Sequence, residues 1–334
     1  METLQTATTY LGLRLPHPFI AGASPFGYYL DTIKRLEDAG CAAVVLHSLF
    51  EEQTSFAAAR HPENMNGLDR LFGETVAHFP TPGEYPLTPD EYAEHINRAK
   101  SAVRIPIIAS FNGSGGQSWL RLVKIIEQAG ADALELNFYD VVASLARTGA
   151  AVEDEIVATA RELKGAMTIP LAVKLLPYFA SFANLAKRLE AAGADSLVLF
   201  NRLYHLDIDI KTSEPFVNLR LSTSAELRLR LQWMAILHGR VRPSLALTGG
   251  VETPDDGITA VLAGADVVQL VSALLRHGPE HIGLMRLGLE RWMERQKFSR
   301  LDEARGRCSL DCTGDPTMFD RGNYIRTLHS WIRT

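Results

Sequence analysis

Ala129-Gly-Ala-Asp-Ala-Leu-Glu-Leu-Asn137 closes a helical pattern and opens an apolar run, and the chain repeats this arrangement along most of its length. A glycine just past an amphipathic helix takes up the left-handed backbone that ends it. The Ala-Gly-small step occurs at Ala39-Gly40-Cys41, Ala129-Gly130-Ala131, Ala192-Gly193-Ala194 and Ala263-Gly264-Ala265. Each step predicts the end of a helix and the start of a strand.

A second marker, a proline before an apolar run, alternates with the first. It occurs at Pro18, Pro106, Pro170 and Pro243. Proline cannot continue a helix, and it favours extended backbone in the residue before it. Together the two markers predict eight strands: Phe19–Ser24, Ala42–Ser48, Ile107–Phe111, Ala133–Phe138, Leu171–Leu175, Ser196–Asn201, Ser244–Thr248 and Val267–Leu270. Most of these runs are continuously apolar, which is typical of parallel strands covered on both faces.

Helical patterns separate the strands, for example at Asp31–Ala39, Trp119–Ala129, Phe182–Ala192 and Ile258–Ala263. Eight strand–helix units in sequence predict a (β/α)8 TIM barrel. A doubly wound open sheet is the main competitor, but the Gly-x-Gly-x-x-Gly that usually follows its first strand is absent. We therefore predict one barrel domain, residues 1–334, with the repeating units between Phe19 and Gln296.

Composition and charge exclude several classes of function. The net charge is −5 and no run of Lys or Arg stands out, so nucleic acid is not an expected partner. No apolar stretch is long and charge-free enough to cross a bilayer, and the N-terminus lacks the pattern of a secretory signal. The three cysteines are an odd and low number, and Cys308 and Cys312 lack the second pair of a zinc site. We expect a cytoplasmic protein without a metal site.

Three stretches depart from the repeating unit. Residues 51–89 are too long for a simple loop after the second strand, residues 204–222 contain a predicted hairpin after the sixth strand, and residues 299–334 form a polar tail after the last helix. The first two follow the carboxyl ends of strands, where barrel active sites lie. Loops of this length are often lids or binding loops, and a subunit contact is the alternative for residues 51–89.

Lys174 is the most informative single residue. It lies in Leu171-Ala-Val-Lys-Leu-Leu-Pro177, which is otherwise apolar. A charged amine near a barrel core is unfavourable unless an anion or a polar ligand meets it. The alternative is a lysine that extends to the rim or pairs with a neighbouring carboxylate. Its position near the carboxyl end of the strand favours a functional role.

Asn137 and Asn201 end the fourth and sixth predicted strands, so both are expected at the mouth of the barrel, on either side of Lys174. An amide donates and accepts hydrogen bonds, which suits a planar ligand with carbonyl and imine edges. Each asparagine alone could equally cap a strand-to-loop turn. Together with Lys174 they favour a ligand site.

A phosphate site is predicted after the last two strands. Thr248-Gly249-Gly250-Val251 closes the seventh strand and Val271-Ser272-Ala273 closes the eighth. Barrel loops at these places often bind phosphate with backbone N–H groups and a helix N-terminus, and glycine lets the backbone approach closely. A Gly-Gly pair alone is more usually a turn.

Small and polar residues end the first three strands, at Ala23-Ser24-Pro25, His47-Ser48 and Ser110-Phe111-Asn112. Small side chains there would let a flat ring lie across the mouth, and tight packing is the alternative explanation. The nearest acidic residue by sequence position is Asp140, a candidate general base, although a solvated or capping carboxylate is the alternative. No Ser-His-Asp order and no cluster of metal ligands is evident.

These features resemble the dihydroorotate dehydrogenase family, from Thr9-Tyr-Leu-Gly-Leu13 through the eighth helix. The matching pieces are Tyr-Leu-Gly-Leu followed by Pro18, Ala23-Ser24-Pro25, Glu135-Leu136-Asn137, Val173-Lys174-Leu175 with Pro177-Tyr178-Phe179, Asn201, Thr248-Gly249-Gly250-Val251, and Gly264-Ala265-Asp266 leading to Ser272-Ala273-Leu274. The chain is most similar to the cytosolic class 1, and within it to a dihydroorotate dehydrogenase-like branch.

The resemblance implies FMN at the barrel mouth. Its phosphate would be held by Gly249, Gly250 and Ser272; its ring would meet Ala23, Ser24, Ser48, Asn112 and Asn137. Lys174 would donate to the N1–C2 carbonyl edge, where a fixed cation stabilises the charge of the reduced ring. Asn137 and Asn201 would orient a planar substrate. In the family reaction a base removes a proton from one substrate carbon, and the neighbouring carbon passes hydride to flavin N5.

The chain departs from the family around the substrate. In the cytosolic class the fourth-strand motif continues Asn-Leu-Ser-Cys-Pro-Asn with Cys as the base, whereas this chain has Asn137-Phe-Tyr-Asp-Val-Val142. Asp140 therefore stands in place of the Cys and would need burial to raise its pKa. The family's Lys-Ser after the second strand is His47-Ser48 here. Arg202 replaces a Ser and suggests an anionic substrate, which orotate is.

The leading hypothesis is an FMN-dependent oxidoreductase that oxidises dihydroorotate or a related dihydropyrimidine-like anion. One alternative is a barrel lyase or aldolase that uses Lys174 as a Schiff-base amine. Another is a non-catalytic FMN-binding or regulatory partner subunit, which the missing Cys and Asn favour. Besides a small-molecule substrate, the expected partners are a redox partner protein and a second copy of the chain in a homodimer. The electron acceptor stays open.

Overall fold

The computed structural model describes residues 4–50, 87–112, 117–202, 205–218 and 220–331. Its strands are β1 (Thr8–Tyr10), β2 (Leu13–Leu15), β3 (Phe19–Ala21), β4 (Val44–Phe50), β5 (Ile107–Asn112), β6 (Ala133–Asn137), β7 (Leu171–Leu175), β8 (Ser196–Leu199), β9 (His205–Asp209), β10 (Glu214–Asn218), β11 (Ser244–Thr248) and β12 (Val267–Leu270). Its α-helices are α1 (Leu30–Asp38), α2 (Pro89–Ala102), α3 (Gln117–Gln128), α4 (Gly149–Ala166), α5 (Phe182–Ala191), α6 (Leu227–Leu237), α7 (Pro254–Ala263), α8 (Ser272–His277), α9 (His281–Gln296) and α10 (Asn323–Ser330).

Eight of these strands form a closed barrel in the order β11-β12-β3-β4-β5-β6-β7-β8, and every neighbouring pair in it is parallel. The predicted (β/α)8 barrel is therefore confirmed. Three predicted strands match at both ends, β7, β11 and β12. The first and sixth are shorter than predicted, because β3 ends at Ala21 and β8 at Leu199. Asn201 consequently lies in the loop after its strand and does not end it.

The Ala-Gly-Ala-Asp steps have a physical role that the spacing alone did not indicate. Their glycines end helices with positive φ, as expected. The aspartate that follows accepts a hydrogen bond from the backbone at the start of the preceding barrel strand: Ile107 N–H to Asp132 Oδ2 at 2.7 Å, Leu171 N–H to Asp195 Oδ2 at 2.8 Å, and Leu245 N–H to Asp266 Oδ2 at 2.7 Å. Each step thus ends a helix, and its aspartate forms a hydrogen bond with the backbone at the start of the neighbouring strand.

A short antiparallel hairpin, β1 with β2, closes the amino end of the barrel and was not predicted. Its Tyr10, Leu11 and Leu15 are buried against interior residues of the barrel strands. Leu11 N–H donates to Ser244 Oγ at 3.3 Å, at the first residue of β11. Strands of three residues carry too little periodicity to stand out in a sequence, so the hairpin depends on the barrel for its stability.

The departures from the repeating unit are partly described. Of the predicted insertion 51–89, residues 51–86 lie outside the described residues. Within 204–222, β9 and β10 pair as an antiparallel hairpin that exposes Leu206 and Ile208. After α9 the chain packs back on the barrel through the buried Leu301 and Ala304. The predicted tail, residues 299–334, contains a further helix, α10.

Membrane-spanning helices and clusters of metal ligands are both absent from the described residues. None of their helices combines the length and apolar character needed to span a membrane. Their His, Cys, Asp and Glu side chains do not gather in groups of three or more that could hold a metal ion.

Candidate active site

Most of the residues that the sequence singles out lie at one rim of the barrel. Ala23 and Ser24 follow β3, Ser48 lies in β4, Asn112 ends β5, Asn137 ends β6, Lys174 lies in β7, Asn201 follows β8, Gly249 and Gly250 follow β11, and Ser272 follows β12. Because all eight strands are parallel, their carboxyl ends share this rim, which is where barrel active sites lie.

Lys174 is paired inside the barrel. Its Nζ donates to Glu135 Oε1 at 3.1 Å, and Gln269 Nε2 donates to the other oxygen, Glu135 Oε2, at 2.6 Å. Glu135 has no exposed surface, and only 7% of the Lys174 side chain is exposed. The alternative interpretation, a pairing with a neighbouring carboxylate, is therefore what the structure shows, and the functional role of Lys174 stays a prediction.

The register of the sheet sets what Lys174 can reach. Asn137 and Lys174 lie side by side on β6 and β7, so their side chains share the interior face. The ammonium has three N–H bonds, and Glu135 is its described acceptor. The pair thus holds a fixed cation next to an amide, with donors left for a ligand.

A chain of hydrogen bonds joins the polar residues of the rim. Ser48 Oγ and Ser110 Oγ are 2.7 Å apart, and Asn137 Nδ2 donates to Ser48 Oγ at 3.1 Å. Asn201 Nδ2 donates to Asn137 Oδ1 at 3.2 Å, and Asn201 Oδ1 accepts from the backbone of Arg202 at 2.9 Å. Asn137 and Asn201 are therefore in contact, although Asn137 ends β6 and Asn201 lies in the loop after β8.

The Gly249-Gly250 turn is shaped by α6. Both glycines have positive φ, 84° and 80°. A Cβ on Gly249 would meet the Arg230 guanidinium at 2.8 Å, and one on Gly250 would meet the Leu227 backbone nitrogen at 2.7 Å. Close approach of α6, rather than of a phosphate, therefore accounts for the missing side chains. The turn presents the backbone N–H of Gly250, the kind of group that the predicted phosphate site needs.

Ser222 occupies the predicted phosphate site in this structure. Its Oγ accepts from Gly250 N–H at 3.0 Å, and its hydroxyl and backbone nitrogen each lie 3.0 Å from Ser272 Oγ. Gly250 and Ser272, predicted from separate strands, are thus joined through one buried hydroxyl. Ser222 is not among the site residues predicted from the sequence.

Arg202 has a carboxylate partner. Its Nη2 lies 3.2 Å from Glu226 Oε1, and its buried Nε has no hydrogen-bond partner among the described residues. The Arg202 side chain is about three-quarters buried. Arg202 is therefore a partly desolvated cation near the rim with a free donor.

Asp140 lies outside the polar rim. Its side chain is 57% exposed, and Arg147 Nη1 lies 3.2 Å from its Oδ2. Arg202 pairs with Glu226 and not with Asp140. The burial that would strengthen this carboxylate as a base is absent from the structure, so its role as base stays a prediction.

His47 stands where the family has lysine, and its ring is used for packing. It stacks on Tyr28 with ring centroids 3.9 Å apart, and its Nδ1 lies 3.2 Å from the Gly27 carbonyl oxygen, which His95 also contacts. Burial, with a smaller contribution from His95, lowers the pKa of His47 to about 3. The imidazole is therefore neutral at physiological pH.

Sequence reasoning missed several partners of the site. Glu135 and Gln269 lie in otherwise apolar strands, as Lys174 does, and this shared signal could have identified them. Glu135 and Asn137 are two residues apart, which places both on one face of a strand. Ser222 and Glu226 lie in an irregular segment and at its boundary with α6, where no comparable signal exists.

The family model described as Dihydroorotate dehydrogenase matches residues 85–293, more than half of the chain. This range includes Asn112, Asn137, Lys174, Asn201 and the turn at Gly249.

Proteins of known name match over most of the chain. The PreA subunit of the NAD-dependent dihydropyrimidine dehydrogenase of Escherichia coli K12 is 25% identical, with 92% of this chain and 77% of PreA covered. The catalytic subunit of dihydroorotate dehydrogenase B (NAD(+)) of Thermoplasma volcanium is 27% identical, with 90% and 97% covered. The chloroplastic dihydropyrimidine dehydrogenase (NADP(+)) of Arabidopsis thaliana is 24% identical, with 90% and 76% covered.

Proposed function

The chain belongs to the dihydroorotate dehydrogenase family and is an oxidoreductase of that family, and we propose that it uses FMN to oxidise dihydroorotate or a related dihydropyrimidine-like anion. The observation that carries the proposal is the Lys174 ammonium, buried at the barrel mouth and held by Glu135 beside Asn137. A desolvated, fixed cation in that place suits a ring that gains negative charge during the reaction.

The residues at the rim fit FMN. Asn112 Oδ1 is buried and has no hydrogen-bond partner among the described residues, which leaves it available to a ring N–H. Gly250 N–H donates to the Ser222 hydroxyl, which in turn donates to Ser272 Oγ. A phosphate oxygen in place of that hydroxyl would accept from Gly250 N–H and from the Ser272 hydroxyl turned toward it. Ala23, Ser24 and Ser48 supply small side chains along the rim.

When bound, FMN supplies the hydride acceptor of the reaction. Lys174 supplies positive charge, and Glu135 keeps the ammonium in place. Asn137 and Asn201 form a continuous pair of amides that can orient the carbonyl and N–H edges of a substrate ring. Arg202, with its free Nε, meets the substrate's carboxylate.

We propose Asp140 as the proton acceptor, because it stands in place of the family's cysteine. In the structure it is exposed and paired with Arg147, so substrate binding has to bring it to the rim and remove it from water. Asp140→Asn should then slow substrate-dependent flavin reduction by about 100-fold or more, since a positioned base contributes about 10²–10⁴-fold. Arg147→Gln is the matched control and should retain reduction. Equal rates for Asp140→Asn and the unchanged chain would exclude Asp140.

The two alternative functions, a Schiff-base lyase and a non-catalytic flavin-binding subunit, make different predictions for this chain. A Schiff-base lyase needs a neutral amine at Lys174, whereas this amine is in an ion pair with Glu135, and the family is one of oxidoreductases. A non-catalytic flavin-binding subunit would bind FMN without reduction by any dihydropyrimidine. It would also copurify with a stable partner.

The test is the absorption spectrum of the purified chain, before and after anaerobic addition of dihydroorotate or dihydrouracil. We expect a yellow protein whose flavin band bleaches with dihydroorotate, and faster than with the uncharged dihydrouracil. A colourless protein that does not bind added FMN would refute the proposal. Bleaching only by dihydrouracil would keep the oxidoreductase and remove the anionic substrate.

The homodimer, the redox partner and the cytoplasmic location stay predictions, as does the division into one barrel domain with insertions at 51–89 and 204–222. Light scattering of the purified chain measures the first directly. Oxidation of the reduced protein by fumarate, NAD, a quinone or a ferredoxin identifies the electron acceptor.

A further inference from the structure

Arg230 is a buried cation that the proposed reaction does not use. It lies on α6, its side chain is almost completely buried, and its Nε donates to the Thr248 carbonyl oxygen at 2.5 Å. Its Nη1 donates to the Glu226 carbonyl oxygen at 2.7 Å. Both acceptors are neutral, and no carboxylate of the described residues forms an ion pair with Arg230. Burying a charge in this way is unfavourable unless an anion is nearby.

The charges around Arg230 do not balance. Among acidic groups, Glu226 has the largest effect on the pKa of Arg230, but the Glu226 carboxylate pairs with Arg202. Two guanidinium groups therefore share one carboxylate, and the cluster keeps one positive charge in excess. Desolvation, the largest effect, and repulsion from Arg202 both lower the pKa of Arg230. A further anion at this place would relieve the imbalance.

The position of the guanidinium indicates where that anion binds. It fills the space of the absent Gly249 side chain, with Nη2 2.8 Å and Nε 2.9 Å from the position of a Cβ. The next residue, Gly250, donates its N–H to the Ser222 hydroxyl, which in turn meets Ser272. The buried guanidinium thus lies against Gly249, and the N–H at the predicted phosphate site belongs to the next residue, Gly250.

We propose that Arg230 is the fixed cation of the phosphate subsite, and that it makes the chain prefer FMN, a phosphate monoester dianion, over riboflavin. The inference rests on the proposed function, because it requires a flavin at the rim. Its competitor is a purely structural Arg230 that fastens α6 to the end of β11 through the Thr248 and Glu226 carbonyl oxygens. Charge at the phosphate affects only the phosphorylated flavin, whereas fastening affects both flavins alike.

The experiment compares the dissociation constants of FMN and riboflavin, measured by fluorescence quenching on the full chain without added substrate. Arg230→Gln should weaken FMN binding by about 10- to 100-fold, the range for losing a charge-assisted interaction. Riboflavin binding should change by less than about threefold, the size of a surface effect. Arg228→Gln removes an exposed arginine from the same helix and should leave the FMN-to-riboflavin ratio unchanged.

Glu226→Gln provides the opposite perturbation. The Glu226 side chain is 34% exposed, so the variant should fold, and it raises the excess positive charge of the cluster. The preference for FMN should then increase by about 3- to 10-fold, as expected for a partly screened charge. If Arg230→Gln does not fold, this variant decides, because a structural Arg230 predicts no change in the ratio.

The outcomes separate this inference from the proposed function. An unchanged ratio in both variants, or equal loss of both flavins in Arg230→Gln, would overturn the role of Arg230 while FMN binding by the unchanged chain still stands. An unchanged chain that binds neither flavin would overturn both proposals. A ratio that falls in Arg230→Gln and rises in Glu226→Gln would support Arg230 as the phosphate cation.

Discussion

The ion pair inside the barrel gives a prediction of stability that does not depend on any ligand. Lys174→Met keeps the length of the side chain and removes its charge, so Glu135, which has no exposed surface, is left as an uncompensated carboxylate. Breaking a buried pair from one side costs about 3–5 kcal/mol of the free energy of unfolding. At an unfolding entropy of about 2 cal/mol/K per residue, this corresponds to a fall in melting temperature of about 4–7 °C.

Glu135→Gln should cost a similar amount, because it leaves the ammonium unpaired. The double variant removes both charges, and the amide oxygen introduced at position 135 can still accept from Gln269. It should therefore be more stable than either single variant, with a coupling energy of about 3 kcal/mol between the two positions. Thermal and urea unfolding of the flavin-free chain measure all three.

Lys100→Met is the matched control. Lys100 also pairs with a carboxylate, since its Nζ lies 2.6 Å from Asp132 Oδ2, but both side chains are partly exposed. Its loss should cost less than about 1 kcal/mol, the usual range for a solvated pair. The reasoning would be refuted if the effects of Lys174→Met and Glu135→Gln simply added in the double variant, or if Lys174→Met cost no more than the control.

Three further predictions concern pH, packing and the substrate. Burial lowers the pKa of His17 to about 4, and its neutral ring donates to the Gly40 carbonyl oxygen and accepts from Phe19 N–H. Below pH 6.5, protons therefore bind the unfolded chain more tightly than the folded chain. The free energy of unfolding should fall by about 2 kcal/mol from pH 7.5 to pH 5 because of His17. His17→Asn should reduce this fall, as measured by urea unfolding at each pH. Gly257→Ala should lower the free energy of unfolding, measured with urea, by about 1–3 kcal/mol, because its Cβ would lie 2.7 Å from a ring carbon of Phe19. Gly283→Ala should raise it by about 0.5–1 kcal/mol, because a Cβ there would enter open space. Arg202→Gln should reduce kcat/KM for dihydroorotate by about 10- to 100-fold and change that for dihydrouracil little; equal losses would contradict an anion-binding role.

The barrel could be predicted from the sequence because its signals are local. A glycine with positive φ at Gly40 or Gly264, or a proline before a strand, acts on the backbone at its own position. The amino-terminal hairpin could not be predicted in this way. Its two three-residue strands are stabilised by burial of Tyr10 and Leu11 against the barrel, which exists only once the barrel has closed.

The candidate site was predictable residue by residue, but not as a set of pairs. Lys174 stands out because it is charged within an apolar strand, whereas its pairing with Glu135 depends on the register of β6 with β7. Arg230 gave no signal at all. It lies in Leu227-Arg-Leu-Arg230, where Arg228 is exposed and Arg230 is buried, and only the approach of the Gly249 turn distinguishes them.

The departures from the family's pattern fall mainly in the loops of the site. Lys174, Asn137 and Glu135 all lie on barrel strands, and Glu135 is completely buried. Asp140, Val142 and Arg202, which differ from the family near the substrate, lie in the loops after β6 and β8. Strand positions are coupled to the stability of the barrel through the buried ion pair, so substitutions there are costly, while exposed loop positions change at little cost. We therefore expect the chain to bind flavin as its family does, and to contact the substrate with residues that differ from the family's. The absorption spectrum tests the first expectation, and the comparison of dihydroorotate with dihydrouracil tests the second.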